Sequence, residues 1–529
     1  MKYDYFDYPY SSSRNIIFAG NGAVATSTPL AAKAGLEILE SGGNAIDAAI
    51  AAAIALTVVE PTSNGIGGDN FSVFWYNGKL YGLNSSGYAP EKINTEKIKN
   101  KNINPHSWEA VTVPGAPAGW KKLSQDFGKL DFRKLFIPAV RYAEEGFPLS
   151  VNTSFYWKKA SEIYKNLTGE EFIPWKDTFL FNGKAPYPGE IIKLPYHAET
   201  LRKIADSDTN AFYRGEITEK IVEFSDKTGG YFSYSDFNNF ESEYTDPVSV
   251  NYRGYDIWEI PPNGQGIIAL MGLNIFSDFS DFSNESYRYH NMIESLKLAF
   301  EDGKKFITDK NKMTVSVEDL LSKTYAKKRF KEITEKAMLP EPGNLPSSGT
   351  VYIATADKWG NMVSFIQSNY MGFGSGIVIP ETGISLQNRG HGFSTDPEHI
   401  NFISPLKKPY HTIIPGFITK NGNPVGPFGV MGGFMQPQGH MQVVSNMIDL
   451  NLNPQAALDA PRWQWIKEKK IIVEKDFPTD IAEKLERMGH EISVSLSSGP
   501  FGRGQIIQKC DNIYICGTEK RTDGYIAFY

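Results

Sequence analysis

Gly349-Thr350, inside "PSSGTVYIATADKWGNMVSFIQS", is where side-chain chemistry and local context meet in this chain. A threonine hydroxyl is a weak nucleophile unless a base stands beside it. If the bond before Thr350 is cut, its own α-amine, with a reference pKa of roughly 7.7 to 8.0, can take the hydroxyl proton near neutral pH. The preceding run "MLPEPGNLPSSG" is rich in Pro, Gly and Ser and reads as an exposed linker, which such a cut requires. Taken alone, a Gly-Thr junction at the head of a strand is also an ordinary strand start. Other chemistries are poorly represented. There is no G-x-S-x-G elbow, H-E-x-x-H pair or P-loop, and no G-x-G-x-x-G lies between a strand and a helix. The eight histidines form no helical pair with metal spacing, so neither a metal nor a cofactor is expected. Cys510 and Cys516 are too few for a thiolate cage and read as small buried hydrophobes in a hairpin.

The elements that must position Thr350 follow from local signals. Thr28-Pro29 is an N-cap and first-turn pair for a helix that Gly42-Gly43 ends. Asn44 then caps the apolar run "AIDAAIAAAIALTVV", with Asp47 in its first turn. That run is shorter than the roughly 20 residues a bilayer requires, so it predicts a buried helix in a layer packed on a sheet. Asn77-Gly78 predicts a hairpin turn. Residues 110 to 340 read as mostly helical. Beyond the linker, strands dominate: "TVYIATA" and "MVSFIQS" as a hairpin, then "KKIIVEKD", "EISVSLS" and "GRGQIIQ", with a helix after the glycine-rich "VGPFGVMGG".

Composition bounds the function class. The 529 residues carry a formal charge of −6 with no long run of one sign, which argues against nucleic acid or an anionic membrane as partner. The opening "MKYDYFDYPYSSSRN" has no positive patch followed by an apolar core, so a cytoplasmic protein is expected.

Several separated segments together resemble the γ-glutamyltranspeptidase family of N-terminal-nucleophile hydrolases. They are "SGGNAIDAAIAAAIALTVVEP", "GIGGDNF", "VPGAPAG", "YRGYDIWEIPPNGQG", "TVYIATADKWGNMVS", "FGSGIVIPETGISLQN", "GGFMQPQ" and "NPQAALDAPRWQW", in order from about residue 20 to the C-terminus. The resemblance implies a four-layer αββα sandwich. It also implies a precursor that cuts itself at Gly349-Thr350 into a large subunit, 1 to 349, and a small subunit, 350 to 529, which together form one αββα unit. Thr350 would be the nucleophile, Ser368 would stand where the family has a threonine bonded to it, and Gly432 and Gly433 would supply oxyanion N–H groups.

The positions that grip a γ-glutamyl group depart from the family pattern. Ser86 stands where an arginine faces the α-carboxylate, Gly392 where an aspartate faces the ammonium, and Arg389 where glutamine is usual. His411 and Thr412 replace a serine pair, and Tyr370 an asparagine. The loop between Phe393 and Lys408 is short, so a lid over the site is expected to be missing. The expected activity is hydrolysis of γ-glutamyl amides such as glutathione, a small-molecule substrate, through a threonine acyl-enzyme, with possible acyl transfer. One alternative is an acylase for glutaryl-type or other carboxyacyl amides, in which Arg389 meets the distal carboxylate rather than making a structural ion pair. The other is a non-catalytic relative acting as a binding module.

Overall fold

The computed structural model describes residues 14–339 and 349–529; most of the linker "MLPEPGNLPSSG" lies outside them. Two seven-stranded antiparallel sheets form the centre. One runs, in spatial order, Tyr525–Phe528, Ala23–Thr26, Gly349–Ala356, Met362–Tyr370, Asp69–Tyr76, Lys79–Ser85 and Glu243–Thr245. The other runs Ile17–Ala19, Ile513–Thr518, Arg503–Cys510, Asn423–Met431, Gly416–Lys420, Tyr255–Glu259 and Val248–Tyr252. Strands from before and after Gly349 are interleaved in both.

The layering follows from which face each strand turns to which core. Alternate residues point to opposite faces. Phe71, Val73, Tyr352, Ala354 and Ile366 from the first sheet meet Phe417, Met431 and Ile507 from the second. Val351, Ile353, Val363 and Phe365 point the other way, into the helical layer that contains Pro29–Glu40 and Ala45–Val59. On the far side of the second sheet, Gly266–Phe276, Glu285–Phe306 and Met435–Ile448 form the fourth layer. The fold is the expected αββα sandwich.

Several local expectations hold in detail. The Thr28 hydroxyl accepts from the Ala31 N–H, and Asn44 and Asp47 form a reciprocal capping box with both bonds at 3.0 Å. Every residue of Ala45–Val59 is buried, as a helix apolar all round must be. Asn77 and Gly78 take φ of 48° and 83°, the left-handed pair a tight hairpin requires. Among the described residues no helix is long and apolar enough to cross a membrane.

Two expectations need correction. "YRGYDIWE" falls in the stretch read as mostly helical, yet Val248–Tyr252 and Tyr255–Glu259 pair as a hairpin on the edge of the second sheet. Arg253 and Gly254 both adopt positive φ there, a turn that no helical periodicity announces. Cys516 is buried between the sheets as expected, whereas Cys510, at the end of its strand, is exposed.

Candidate active site

Thr350 shares a strand face with Tyr352 and Ala354, and Ser368 shares one with Ile366, so both hydroxyls turn toward the seam between the sheets. The two strands pair regularly from Ala356↔Met362 to Val351↔Gln367, and then the register slips so that Gly349 faces Tyr370. That bulge places one extra residue on the partner strand and re-aims the side chains around Thr350, a common arrangement beside active sites. Thr350 is fully buried, and its hydroxyl donates to the Gly349 carbonyl at 2.7 Å. The Ser368 hydroxyl donates to the same carbonyl at 2.8 Å and lies 3.2 Å from the Thr350 oxygen. Ser368 in turn accepts from the Tyr370 N–H at 2.8 Å and from the Arg389 guanidinium at 3.4 Å. Two hydroxyls therefore polarise the one carbonyl whose bond precedes Thr350.

Arg389 is completely buried. It donates to the Thr412 hydroxyl at 2.7 Å and lies 4.2 Å from the centroid of the Tyr370 ring, while its Nε has no partner among the described residues. Burial lowers its pKa to about 10, which still leaves it a cation at neutral pH. Tyr370 has φ of 76°, unusual for a bulky side chain, and it sits at the mouth of the bulge.

Asp69, in the segment "GIGGDNF", is not among the residues expected from the sequence, yet it faces Ser368 across the sheet. Its carboxylate accepts from the N–H groups of Gly115 and Gly87 at 3.0 and 3.2 Å and from His411 Nε2 at 3.1 Å. Burial pushes the Asp69 carboxyl up to about 7, against the pull of Arg389 and these donors. The same burial, with Arg389 nearby, drives His411 well below the ordinary imidazole range. The only sequence-level sign of Asp69 is a lone carboxylate among glycines at a strand head. Those glycines have a steric reason: a Cβ on Gly65 or Gly68 would come within 3 Å of the Asn369 amide.

Gly432 and Gly433 follow the strand Asn423–Met431 and precede the helix Met435–Ile448, with φ of 139° and 57°. Both values favour glycine. Gln265 ties this turn to the arginine cluster, donating to the carbonyls of Thr412 at 2.7 Å and Gly433 at 2.9 Å. A cavity of about 440 Å³ has both Gly349 and Gly432 in its wall.

Thr350, Ser368, Tyr370, Arg389, Thr412 and, through Asp69, His411 thus come together. Two other positions from the sequence border this set. Ser86 donates to the Asn84 side chain at 2.7 Å and accepts from the side-chain amide of Asn263 at 3.3 Å. The Asn263 backbone carbonyl in turn accepts from the His411 N–H at 2.9 Å. Gly392 closes the short helical turn Arg389–Gly392 and offers its carbonyl to Asn401 at 2.8 Å.

One metal-sized cluster exists among the described residues: His290 and Glu294, four residues apart on the helix Glu285–Phe306, meet the distant His490. Its atoms are already engaged. The two imidazoles bond each other at 2.8 Å, His290 bonds the Thr334 carbonyl at 2.7 Å, and the Lys297 ammonium sits 2.7 Å from Glu294. A buried cation in that position opposes a metal ion, and the cluster reads as a polar clamp.

The chain aligns with proteins of known name over almost its full length. It is 35% identical to the glutathione hydrolase-like YwrD proenzyme of Bacillus subtilis, covering 94% of this chain and 96% of that one. It is 30% identical to the oxamate amidohydrolase proenzyme of Klebsiella pneumoniae, covering 94% and 97%. Its fold superposes on the crystal structure of cephalosporin acylase from Bacillus halodurans with a TM-score of 0.97 and 54% identity, covering 100% of this chain and 99% of that one. The protein is an enzyme, a hydrolase of the N-terminal-nucleophile class. The family model described as gamma-glutamyltranspeptidase matches residues 31–529, and the chain belongs to that family.

Proposed function

We propose that this chain is a precursor that cuts itself between Gly349 and Thr350, and that the freed Thr350 hydrolyses amides of short carboxyacyl groups, γ-glutamyl amides such as glutathione among them. The observation that carries the proposal is the pair of hydroxyls, Thr350 at 2.7 Å and Ser368 at 2.8 Å, on the Gly349 carbonyl. Two full-length relatives named as proenzymes support a self-processing precursor.

In processing, the Thr350 oxygen attacks the Gly349 carbonyl carbon, a C–O bond forms, and the C–N bond to Thr350 breaks as the hydroxyl proton passes to the nitrogen. Water then hydrolyses the ester, leaving a carboxylate on Gly349 and a free α-amine on Thr350. In turnover that amine takes the hydroxyl proton, the oxygen attacks the substrate amide, and the proton leaves with the departing amine. Water, giving a proton to the same Thr350 amine, then cleaves the acyl ester, releasing the carboxylic acid and restoring the Thr350 hydroxyl. Ser368 and the N–H groups of the Gly432–Gly433 turn are suited to the oxyanion. One such donor is commonly worth about 10²- to 10³-fold in kcat.

A second observation favours glutaryl-type acyl groups over γ-glutamyl ones. The buried cation Arg389 lies one hydrogen bond from Ser368, ready for a carboxylate, while Gly392 has no side chain with which to hold an ammonium. An ammonium brought beside Arg389 would be repelled. N-terminal sequencing of the small fragment tests the first claim, since any first residue other than Thr350 overturns it. Rates on glutaryl and γ-glutamyl 4-nitroanilide test the second, which a strong γ-glutamyl preference would overturn.

A further inference from the structure

The cavity that reaches Gly349 and Gly432 is larger than the scissile carbonyl alone requires. At about 440 Å³ it lies in the range of small-molecule sites, roughly 300 to 1,000 Å³. Tyr156, Lys159 and Ile163 stand at helical spacing on Val151–Tyr164, so one face of that helix presents an aromatic ring, a cation and a branched alkyl group to the cavity. Opposite them is Arg503, at the start of Arg503–Cys510, with its guanidinium 4.2 Å from the Tyr156 ring centroid and 3.7 Å from the Glu60 carboxylate. Glu60 is buried and also accepts from Ser27, so it anchors Arg503 from behind. Lys159 is exposed and Ile163 is 52% exposed, which makes the helix face the rim of the cavity. Arg389, Thr412 and Tyr370 do not line this space. It is a second compartment, with Gly349 and Gly432 in its wall.

We propose that this compartment receives the amine half of the substrate, and that the amine is a flat, apolar or aromatic one bearing a carboxylate. This rests on the Thr350 reading above. The acyl half is short and has its cation in Arg389, so the volume on the Gly349–Gly432 side is left for the leaving group. A ring lies along Tyr156 and Ile163, and its carboxylate meets Lys159 at the rim with Arg503 deeper in. A charge pair at a partly solvated rim is weak in absolute terms and acts chiefly on selectivity.

The test compares two anilides with one acyl group, glutaryl 4-nitroanilide and glutaryl 3-carboxy-4-nitroanilide, on the processed enzyme. The wild type prefers the carboxylated compound in kcat/KM, and raised salt narrows that preference. Lys159→Glu lowers the ratio of the two kcat/KM values by about ten-fold, the size of a reversed, partly solvated charge contact. Lys158→Glu, at the neighbouring helix position outside the cavity wall, changes the ratio less than about two-fold, since charges held apart in solvent are screened. A wild type without the preference overturns the subsite, as does an unchanged ratio in a processed Lys159→Glu enzyme or an equal fall in both variants. In those cases the Thr350 reading survives. A wild-type chain that yields no fragment beginning at Thr350 and cleaves neither anilide overturns both.

Discussion

Thr350 and Ser368 stand 18 residues apart on neighbouring strands, and one ladder of register from Ala356↔Met362 onward brings them to the same carbonyl. Arg389, His411 and Thr412 meet a few ångströms away by another route. They come from segments outside the main strands, held by bonds such as His411 to Asp69 across 342 residues and Gln265 to the carbonyls of Thr412 and Gly433. A register is hard to alter without turning side chains to the wrong face, whereas connecting segments accept change readily. Attack chemistry built on a ladder and recognition built on loops can therefore diverge separately. The resemblance read from the sequence implies such a case, with the hydroxyls kept and the groups around Arg389 changed.

That separation can be broken or sharpened by substitution. Thr350→Ala has the largest expected effect. On a denaturing gel no fragments appear, and anilide hydrolysis falls by at least about 10³-fold. Thr350→Ser keeps both activities at reduced rate. Ser368→Ala follows, slowing processing and turnover together by about 10²-fold in time courses of each, because the same hydroxyl faces the Gly349 oxygen in the first reaction and the substrate's amide oxygen in the second. If only one of the two slows, the shared-donor view fails. Arg389→Gln comes next and should divide the two functions. It lowers kcat/KM on glutaryl 4-nitroanilide by about 10-fold or more, the worth of a charge-assisted hydrogen bond, and slows processing by a smaller factor. Equal losses would erase the distinction between attack and recognition.

The smallest effect is one of pH. With the Asp69 carboxyl raised from 3.8 to about 7, the folded chain holds a proton that the unfolded chain has released across that window. Asp69 therefore contributes a loss of stability as pH rises from about 4 to 7, at most about 1.4 kcal/mol per pH unit. His411, held neutral by burial, contributes in the opposite sense below its ordinary range. Removing Asp69 with Asp69→Asn leaves the His411 slope unopposed. The Tm of the variant relative to the wild type should accordingly rise with pH between about 4 and 7 in thermal melts. A difference that is flat or falls would contradict the assignment.

Much of the architecture is legible because it rests on local rules: the Asn44–Asp47 cap, the Asn77-Gly78 turn and the all-apolar helix between them. The hairpin at Arg253-Gly254 is less so, because its strands are short and half-exposed and lie on a sheet edge, where alternation is faint. Within the site, Thr350 and Ser368 are legible because a strand fixes their mutual position. Asp69 escapes notice because its importance lies in partners at Gly87, Gly115 and His411, none of them near in sequence. Ser86 and Gly392 show the converse: their positions in the family pattern suggest a role, whereas the bonds that tie their segments to the site come from their neighbours, Gly87 to Asp69 and Arg389 to Ser368.

The interleaving of strands bears on how such an enzyme ages. With the bond before Thr350 cut as proposed, the first sheet would hold Ala23–Thr26 of the large fragment between Tyr525–Phe528 and residues 350–356, both of the small fragment. The intact chain finds this weave with its ends tethered; two separate pieces would have to find it as a bimolecular event, without the effective concentration that a tether supplies. The proposed cut would thus discard the instruction by which the molecule was assembled. The working lifetime of the cut enzyme would be set by how slowly it first comes apart, since it would have no ready way back.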